Sequence, residues 1–591
     1  MKDKLEQIIK DVLKNLGIET ENVLLEHPAE IIHGDYSTNV AMVYARHNAQ
    51  EVSDVYGRKV KTGDVVTKIG ASPKDLAEKI RQEILKNKQS EIEKIEIAGP
   101  GFINFYLSKE FFANSIKEIH TAEKWGSNTS SSGKKIMVEY TDPNPFKPFH
   151  IGHLMTNAIG ESIARIFEYS DAKVIRANYQ GDVGLHVAKA IWALLKNGKG
   201  DTTLPIEDQA QYIGKCYTEA STVYEEDEKI KAEIDAINKK VYEKSDEQIN
   251  ELYDWGRKIT LDAFETLYKT LGTKFSPNCY FFESVMAPIG KKVVEENTGK
   301  VFEESDGAIV FKAEKYNPKL HTRVFITKQG LPTYETKEIG LTITKFTQEN
   351  PDTSIVVTAI EQGPYMEVVQ KAISLIHPGY ESRMKHVTHG MMRFASGKMS
   401  SRKGNVITGE SLLNDSYELV HEKLAERELT DDQKNIIAQQ IGISAIKYTI
   451  LKQALGGNII YDEEKSVSFE GDSGPYLQYT AVRSHSILEK AQREGIKSNF
   501  SLPRDWEVSS LEKYLYRFPE VVLLSYQKFE PHGIATYLSE LASTFNSFYA
   551  SQQIVNKDDK NSPYRIALVE AFLKTMQNGL YLLGISIPEK M

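Results

Sequence analysis

Cysteine is nearly missing: Cys216 and Cys279 are the only two in a chain of 591 residues. They lie far apart and outside any ligand-like spacing. That speaks against a disulfide framework and a cysteine zinc site, and points to a reducing compartment, the cytoplasm. No run of about 18 apolar residues occurs, so no membrane span is expected. The N-terminal MKDKLEQIIKDVLKNLGIE is charged and amphipathic throughout, unlike a signal peptide. A basic excess is missing too, for the formal net charge is −9. Any nucleic-acid partner must then be held by local basic patches, with the acidic remainder helping to reject non-specific polyanions. A Walker P-loop is absent as well: GMMRFASGK and GSNTSSSGK both have the wrong glycine spacing.

What remains is an ordinary globular composition, 40% hydrophobic and 26% charged, in a length that suggests about three to five domains. Leu5, Ile8, Ile9, Val12, Leu13 and Leu16 mark one face of a helix closed by Gly17. SPKDLAEKIRQEILK predicts a second helix, with Ser72 as N-cap and Pro73 at its first position. KIEIAGPGFINFYLS reads as two strands around a turn. EKWGSNTSSSGKK reads as a flexible linker, too polar to pack. KKIMVEYT is then a strand, HIGHLMTNAIGESIARIFEYSD a helix and AKVIRANYQGD a strand: a βαβ unit that opens a parallel sheet. About 195–275 is helical and highly charged, an insertion. Strand-and-helix alternation resumes with GAIVFK, TRVFIT, TSIVVTAI and MEVVQKAISLI. From about 410 onward the pattern is almost wholly helical. No internal repeat is visible.

Two segments carry chemistry. His150 and His153 fall on the first turn of the helix that follows the loop DPNPFKPF. Free N–H groups and the positive dipole end favour phosphate there. Gly152 lets a ligand approach the backbone, and Lys147 adds charge. An isolated H-x-x-H more often only caps a helix. It could also suggest zinc, but no third ligand sits nearby at a suitable spacing, so no metal residues are assigned. Far downstream, RMKHVTHGMMRFASGKMSSRKGNVITG holds Arg383, Lys385, Arg393, Lys398, Arg402 and Lys403 without one acidic residue. Gly397 and Gly404 flank its core, as suits a loop that moves.

HIGH after a first strand, paired in that order with KMSSRKGN, resembles the two signature motifs of class I aminoacyl-tRNA synthetases. The surrounding residues resemble the arginyl-tRNA synthetase family over nearly the whole chain. GDYSTNVAM and GPGFINFYLS resemble its N-terminal domain, which touches the tRNA elbow. VEYTDPNPFKPFHIGHL and NYQGDVG resemble its catalytic strands. GDSGPYLQYTAVR and the tail LYLLGISIPEKM resemble its anticodon-binding domain. The resemblance implies an α+β N-terminal domain (1–115), a Rossmann-like α/β parallel-sheet catalytic domain with a helical insertion (116–410), and an all-α anticodon-binding domain (411–591). It implies ligation of L-arginine to its tRNA through arginyl-adenylate, with ATP as substrate and Mg²⁺ accompanying its phosphates.

Carried over residue by residue, Lys147, His150, Gly152, His153, Lys398, Met399, Ser400, Ser401, Arg402 and Lys403 would bind ATP. His150, His153, Lys398 and Lys403 among them would act in catalysis. Glu139, Asn144, Tyr334, Glu338 and Gln362 would bind arginine, whose five-donor cation calls for carboxylates and a flat wall. Tyr476, Gln478, Tyr479, Arg483 and Tyr549 would meet tRNA, with Tyr537, Phe545 and Phe548 as further stacking candidates. Three positions depart from the family pattern: Glu338 stands for the usual aspartate, Tyr365 for a frequent histidine and Ser401 for lysine. Taken singly, Tyr334 reads equally well as core packing and Glu338 as a solvated helix residue. A monomer is expected. The competing readings are a cysteine or lysine class I enzyme, a nucleotidyltransferase of the same fold, and a catalytically dead RNA-binding scaffold. Thiol ligands and the paired carboxylates discriminate the first, the tRNA-reading terminal domains the second, and the intact motifs the third.

Overall fold

The computed structural model describes residues 1–45, 52–53, 59–60, 72–87, 89–395 and 408–591. The second signature, Lys398 to Lys403, together with Gly397 and Gly404, lies outside them. Two compact units emerge, one formed by Met1–Trp125, Ser484–Phe518 and Leu541–Thr575, the other by Gly126–Arg483, Pro519–Glu540 and Met576–Met591. No helix among the described residues is long and apolar enough to cross a membrane.

In the first unit, helix Lys2–Asn15 buries Leu5, Ile9, Val12 and Leu13, and Gly17 follows it at φ +80°. Ser72 caps helix Pro73–Lys86 through a box with Asp75, which fixes that start as its sequence predicts. Strands Tyr36–Thr38, Phe102–Leu107 and Ile92–Ala98 form an antiparallel sheet in that order. Their inner face shares one core with both helices and with Tyr516.

The second unit is built on a five-stranded parallel sheet. Its strands are β1 (Lys135–Glu139), β2 (Lys173–Gln180), β3 (Tyr280–Phe282), β4 (Thr353–Ala359) and β5 (Met384–His389), in the order β5-β4-β1-β2-β3. Helix α1 (Ile151–Tyr169) makes the expected crossover from β1 to β2. The chain first winds toward β3 and later returns to β4 and β5, so strand order reverses between β1 and β4. Ligands of such sheets bind at the carboxyl ends of the strands beside that reversal. Between β2 and β3, helices Leu185–Asn197, Ile206–Glu226, Glu228–Glu243 and Glu247–Thr270 enclose their own core.

Two expectations need correction. Strands Ala308–Phe311 and Arg323–Ile326, read as a resumption of α/β alternation, pair antiparallel with each other, and Glu303–Ser305 completes a separate sheet. The connection between them is too short for the crossover that a parallel pair needs. The linker reading of EKWGSNTSSSGKK also fails. Trp125 and Ser131 are buried. Backbone N–H groups of Asn128 and Ser131 donate to the carbonyls of Tyr169 and Ser170, and the Ser131 hydroxyl donates to Tyr526 at 2.8 Å. The polar stretch is ordered because it satisfies the carbonyls left over at the end of α1.

Candidate active site

The loop from β1 to α1 is held in an unusual shape. Thr141, Asp142 and Phe146 have φ of 77°, 47° and 67°, a region that residues with a side chain enter at a cost. Packing enforces it. Phe146 is fully buried, and a methyl group on Gly256 would lie 2.3 Å from its ring. The Asp142 carboxylate accepts the Tyr179 N–H at 2.7 Å.

At the loop's end His150 caps α1. Its backbone N–H donates to Nδ1 of His153 at 3.2 Å, and the two rings stack with centroids 3.4 Å apart. Because Nδ1 of His153 accepts, the proton of that neutral ring sits on Nε2 and remains a donor. His153 is buried, whereas His150 keeps an exposed edge. Burial against neighbouring groups, reinforced by the Lys147 charge, brings His150 down to about 4. Burial, with the His150 ring and the Lys147 charge close by, holds His153 well below the ordinary histidine range. Both rings are therefore neutral donors at pH 7. Gly152 has a role beyond the one read from sequence: a Cβ there would stand 3.0 Å from the His150 ring. Glycine is what lets that imidazole fold over the helix start.

The exit of the second signature meets the first. Thr408, the residue after the undescribed stretch, forms an antiparallel bridge with His150, and the Gly409 N–H donates to the Phe149 carbonyl at 2.8 Å. On the entry side, Met392–Phe394 pairs in parallel with Ile459–Tyr461. Lys398, Met399, Ser400, Ser401, Arg402 and Lys403 themselves are outside the described residues.

Across the reversal point lies a cluster of buried carboxylates and lysines. Helices α2 (Glu283–Glu296) and α3 (Tyr334–Gln348) touch through paired glycines. A Cβ on Gly290 would strike the Thr336 carbonyl at 1.8 Å, and one on Gly340 the Met286 carbonyl at 2.2 Å. This contact lets Lys337 bridge to Glu283 at 2.7 Å, both side chains nearly inaccessible. About two turns further along α3, Lys345 holds Glu139 at 2.9 Å, both 2% exposed. Glu139, expected to meet arginine, is thus already neutralised by the chain's own ammonium. Glu338 is buried, not a solvated helix residue, and has no ion pair of its own among the described residues. Burial pushes its carboxyl up to about 7, Lys345 opposing and Glu139 adding to the rise. Burial and Glu139 also raise Asp142 well above the carboxylate range.

Tyr334 opens α3 and is 65% exposed, which removes its core-packing reading. Its ring lies 4.9 Å from the Lys337 ammonium. Asn144 lies against Gly181, where a Cβ would come within 2.2 Å of Oδ1. Gln362 is exposed immediately before α4 (Gly363–Ile376), beyond the end of β4. Tyr365 donates to the Tyr334 carbonyl at 3.3 Å and so ties α4 to the start of α3. Sequence reasoning did not identify Lys337, Lys345 or Glu283, since long-range ion pairs leave no local pattern.

The tRNA candidates divide. Tyr476, Tyr479 and Arg483 are half-buried on one helix, Arg483 donating to the Tyr479 hydroxyl at 3.1 Å, and Tyr549 is exposed. Gln478 is a correction: it is fully buried and its amide donates to the Ser586 carbonyl at 2.6 Å. Tyr537, Phe545 and Phe548 are buried as well, as most aromatics at helical spacing are.

Comparison with known proteins matches three stretches. Residues 3–107 match the family described as arginyl tRNA synthetase N terminal domain. Residues 115–462 match tRNA synthetases class I (R), catalytic domain, and 477–591 match the DALR anticodon binding domain. The chain is 30% identical over 596 residues to the arginine--tRNA ligase of Halothermothrix orenii, covering 100% of this chain and 99% of that one. It is 32% identical over 525 residues to that of Clostridium perfringens, covering 88% and 90%. Its fold resembles the Thermus thermophilus arginyl-tRNA synthetase, with TM-score 0.79, 22% identity and both chains wholly covered. The Plasmodium falciparum arginyl-tRNA synthetase gives 0.77 at 21% identity, covering 100% and 99%.

Proposed function

The chain belongs to the arginyl-tRNA synthetase family of class I tRNA synthetases, and from that premise we propose how its own residues join L-arginine to tRNA. The reaction consumes ATP, forms arginyl-adenylate and pyrophosphate, and transfers the arginyl group to the 3′-terminal adenosine of the tRNA. The observation that carries our assignment of the pocket is Glu338, a buried carboxylate left without an ammonium beside two carboxylates that have one each. A guanidinium supplies the missing charge in a planar fork that two oxygens can grip. The extra methylene of glutamate brings the carboxylate further into the cleft than aspartate would.

The arginine carboxylate attacks the α-phosphorus of ATP, and the bond to the bridging oxygen of pyrophosphate breaks. No enzyme nucleophile is required, so catalysis is positioning and charge stabilisation. Neutral N–H donors of His150 and His153 at the α1 start meet phosphate oxygens, and Lys147 adds a cation beside them. Lys398, Arg402 and Lys403 are the cations we assign to the departing pyrophosphate. Mg²⁺ comes with ATP through its phosphates. Asn144, Tyr334 and Gln362 border the amino acid, and Glu139 acts on it through the field it shares with Lys345. Tyr476, Tyr479, Arg483 and Tyr549 are the tRNA contacts. The enzyme acts as a monomer in the cytoplasm, where its three substrates meet. ATP–pyrophosphate exchange with each of the twenty amino acids, with and without bulk tRNA, tests the reading. Exchange with arginine alone is the expected result, and exchange with another amino acid, or with none, overturns it.

A further inference from the structure

We propose that the hydroxyl of Tyr179 is a specificity-determining contact for the guanidinium of arginine, gripping the same fork as Glu338; the proposal rests on the arginine reading of the pocket.

Tyr179 lies next to the last residue of β2, at the carboxyl edge of the sheet. Its backbone is fixed on both sides. The N–H donates to Asp142 in the strained loop, and the residue pairs with Phe281 of β3. One residue further, Gly181 sits against Asn144. The ring therefore has little freedom to seek a partner elsewhere.

The hydroxyl is buried and makes no hydrogen bond among the described residues. A hydroxyl stripped of water without a replacement partner is destabilising. Its surroundings say what partner it lacks. Glu283, Glu338 and Glu139 act on it together with Tyr365, and burial with these charges holds the phenol well above its ordinary pKa. It thus remains a neutral O–H, with one proton to give and lone pairs to receive. Two of the three carboxylates are taken by Lys337 and Lys345. The phenol can donate toward the third, Glu338, and its oxygen is then free to accept from a cation. A guanidinium offers several N–H groups in one plane, so it can reach Glu338 and the phenol oxygen at once. A lysine ammonium lacks that planar fork and sits on a shorter stem, so it matches the pair less well. A pocket that hydrogen-bonds a substrate N–H rejects substrates that leave its polar atom unpaired.

The test uses the full chain with tRNA, Mg-ATP and arginine, comparing wild type with Tyr179→Phe, which removes one oxygen. Expected is a rise in KM for arginine of about tenfold, with kcat and the KM for ATP within about twofold and the preference for arginine over lysine narrowed by the same factor. An arginine KM within about twofold of wild type overturns the proposal, whatever happens to thermal stability. An equal rise in the ATP and arginine KM values also overturns it, since that is the mark of a merely structural residue. As a second readout, arginine raises the thermal midpoint of wild type and does so less for Tyr179→Phe; equal shifts contradict the proposal. Wild-type charging with an amino acid other than arginine would sink the pocket assignment itself, and is distinguishable because it needs no variant.

Discussion

The two halves of the cleft solve opposite electrostatic problems. The nucleotide half must hold a polyanion, yet its two histidines are uncharged: burial keeps one near 4 and the other well below the histidine range. The helix start and Lys147 supply the attraction that the described residues offer there. The amino-acid half, as proposed, must hold a cation, and its carboxyl groups are gathered and buried before any substrate arrives. Among the described residues Lys345 pairs with Glu139 and Lys337 with Glu283, while burial raises Glu338 and Asp142 toward their protonated forms. In the reading proposed above, the amino-acid half keeps one carboxyl, Glu338, without an ammonium of its own, and a cationic substrate favours its ionised form.

This contrast can be broken or sharpened experimentally. The largest effect is expected at Lys345→Met, which leaves Glu139 charged and unpaired in the interior. It should lower stability by about 3–5 kcal/mol in denaturant unfolding, and a loss under about 1 kcal/mol would mean the pair is not buried as described. Glu338→Gln should leave the fold intact but raise the arginine KM about a hundredfold, with the ATP KM nearly unchanged; equal effects on both substrates would place Glu338 outside the arginine half. His153→Ala should reverse that pattern, slowing adenylate formation about tenfold or more in single-turnover assays with little change in arginine affinity. The smallest effect concerns pH. A carboxyl at about 7 must ionise to receive a guanidinium, so arginine kcat/KM should fall about fivefold from pH 7 to pH 6 with Mg-ATP saturating. Asp142 titrates as part of the same cluster, while Tyr179 and Tyr365 stay protonated and Lys337 and Lys345 stay charged. The histidines are already neutral throughout that range, so the ATP side should not follow. A flat arginine profile would contradict the role given to Glu338.

Much of this was legible before any coordinates. The βαβ start, the helical insertion and the capped helices follow local periodicity and end signals, which survive into the folded chain. What sequence hid was chiefly long-range. Nothing near Lys345 in the chain says that it closes on Glu139, and the pair changes Glu139 from a presumed ligand into a partnered charge. Polarity misled in two places: the serine-rich stretch before β1 is pinned by leftover helix carbonyls, and Gln478 spends its amide on the backbone of Ser586 inside the helical tail. Tyr179 stands in NYQGDVG, where nothing in the local pattern separates it from any other strand aromatic. Only the burial of its hydroxyl among carboxylates sets it apart.

The division of the cleft is tested most directly by a crystal structure of the protein with a non-hydrolysable arginyl-adenylate analogue. The account predicts the phosphate mimic at the α1 start within hydrogen-bond distance of His153, and the guanidinium between Glu338 and Tyr179. A guanidinium bound away from Glu338, or a phosphate mimic remote from the two imidazoles, would contradict it.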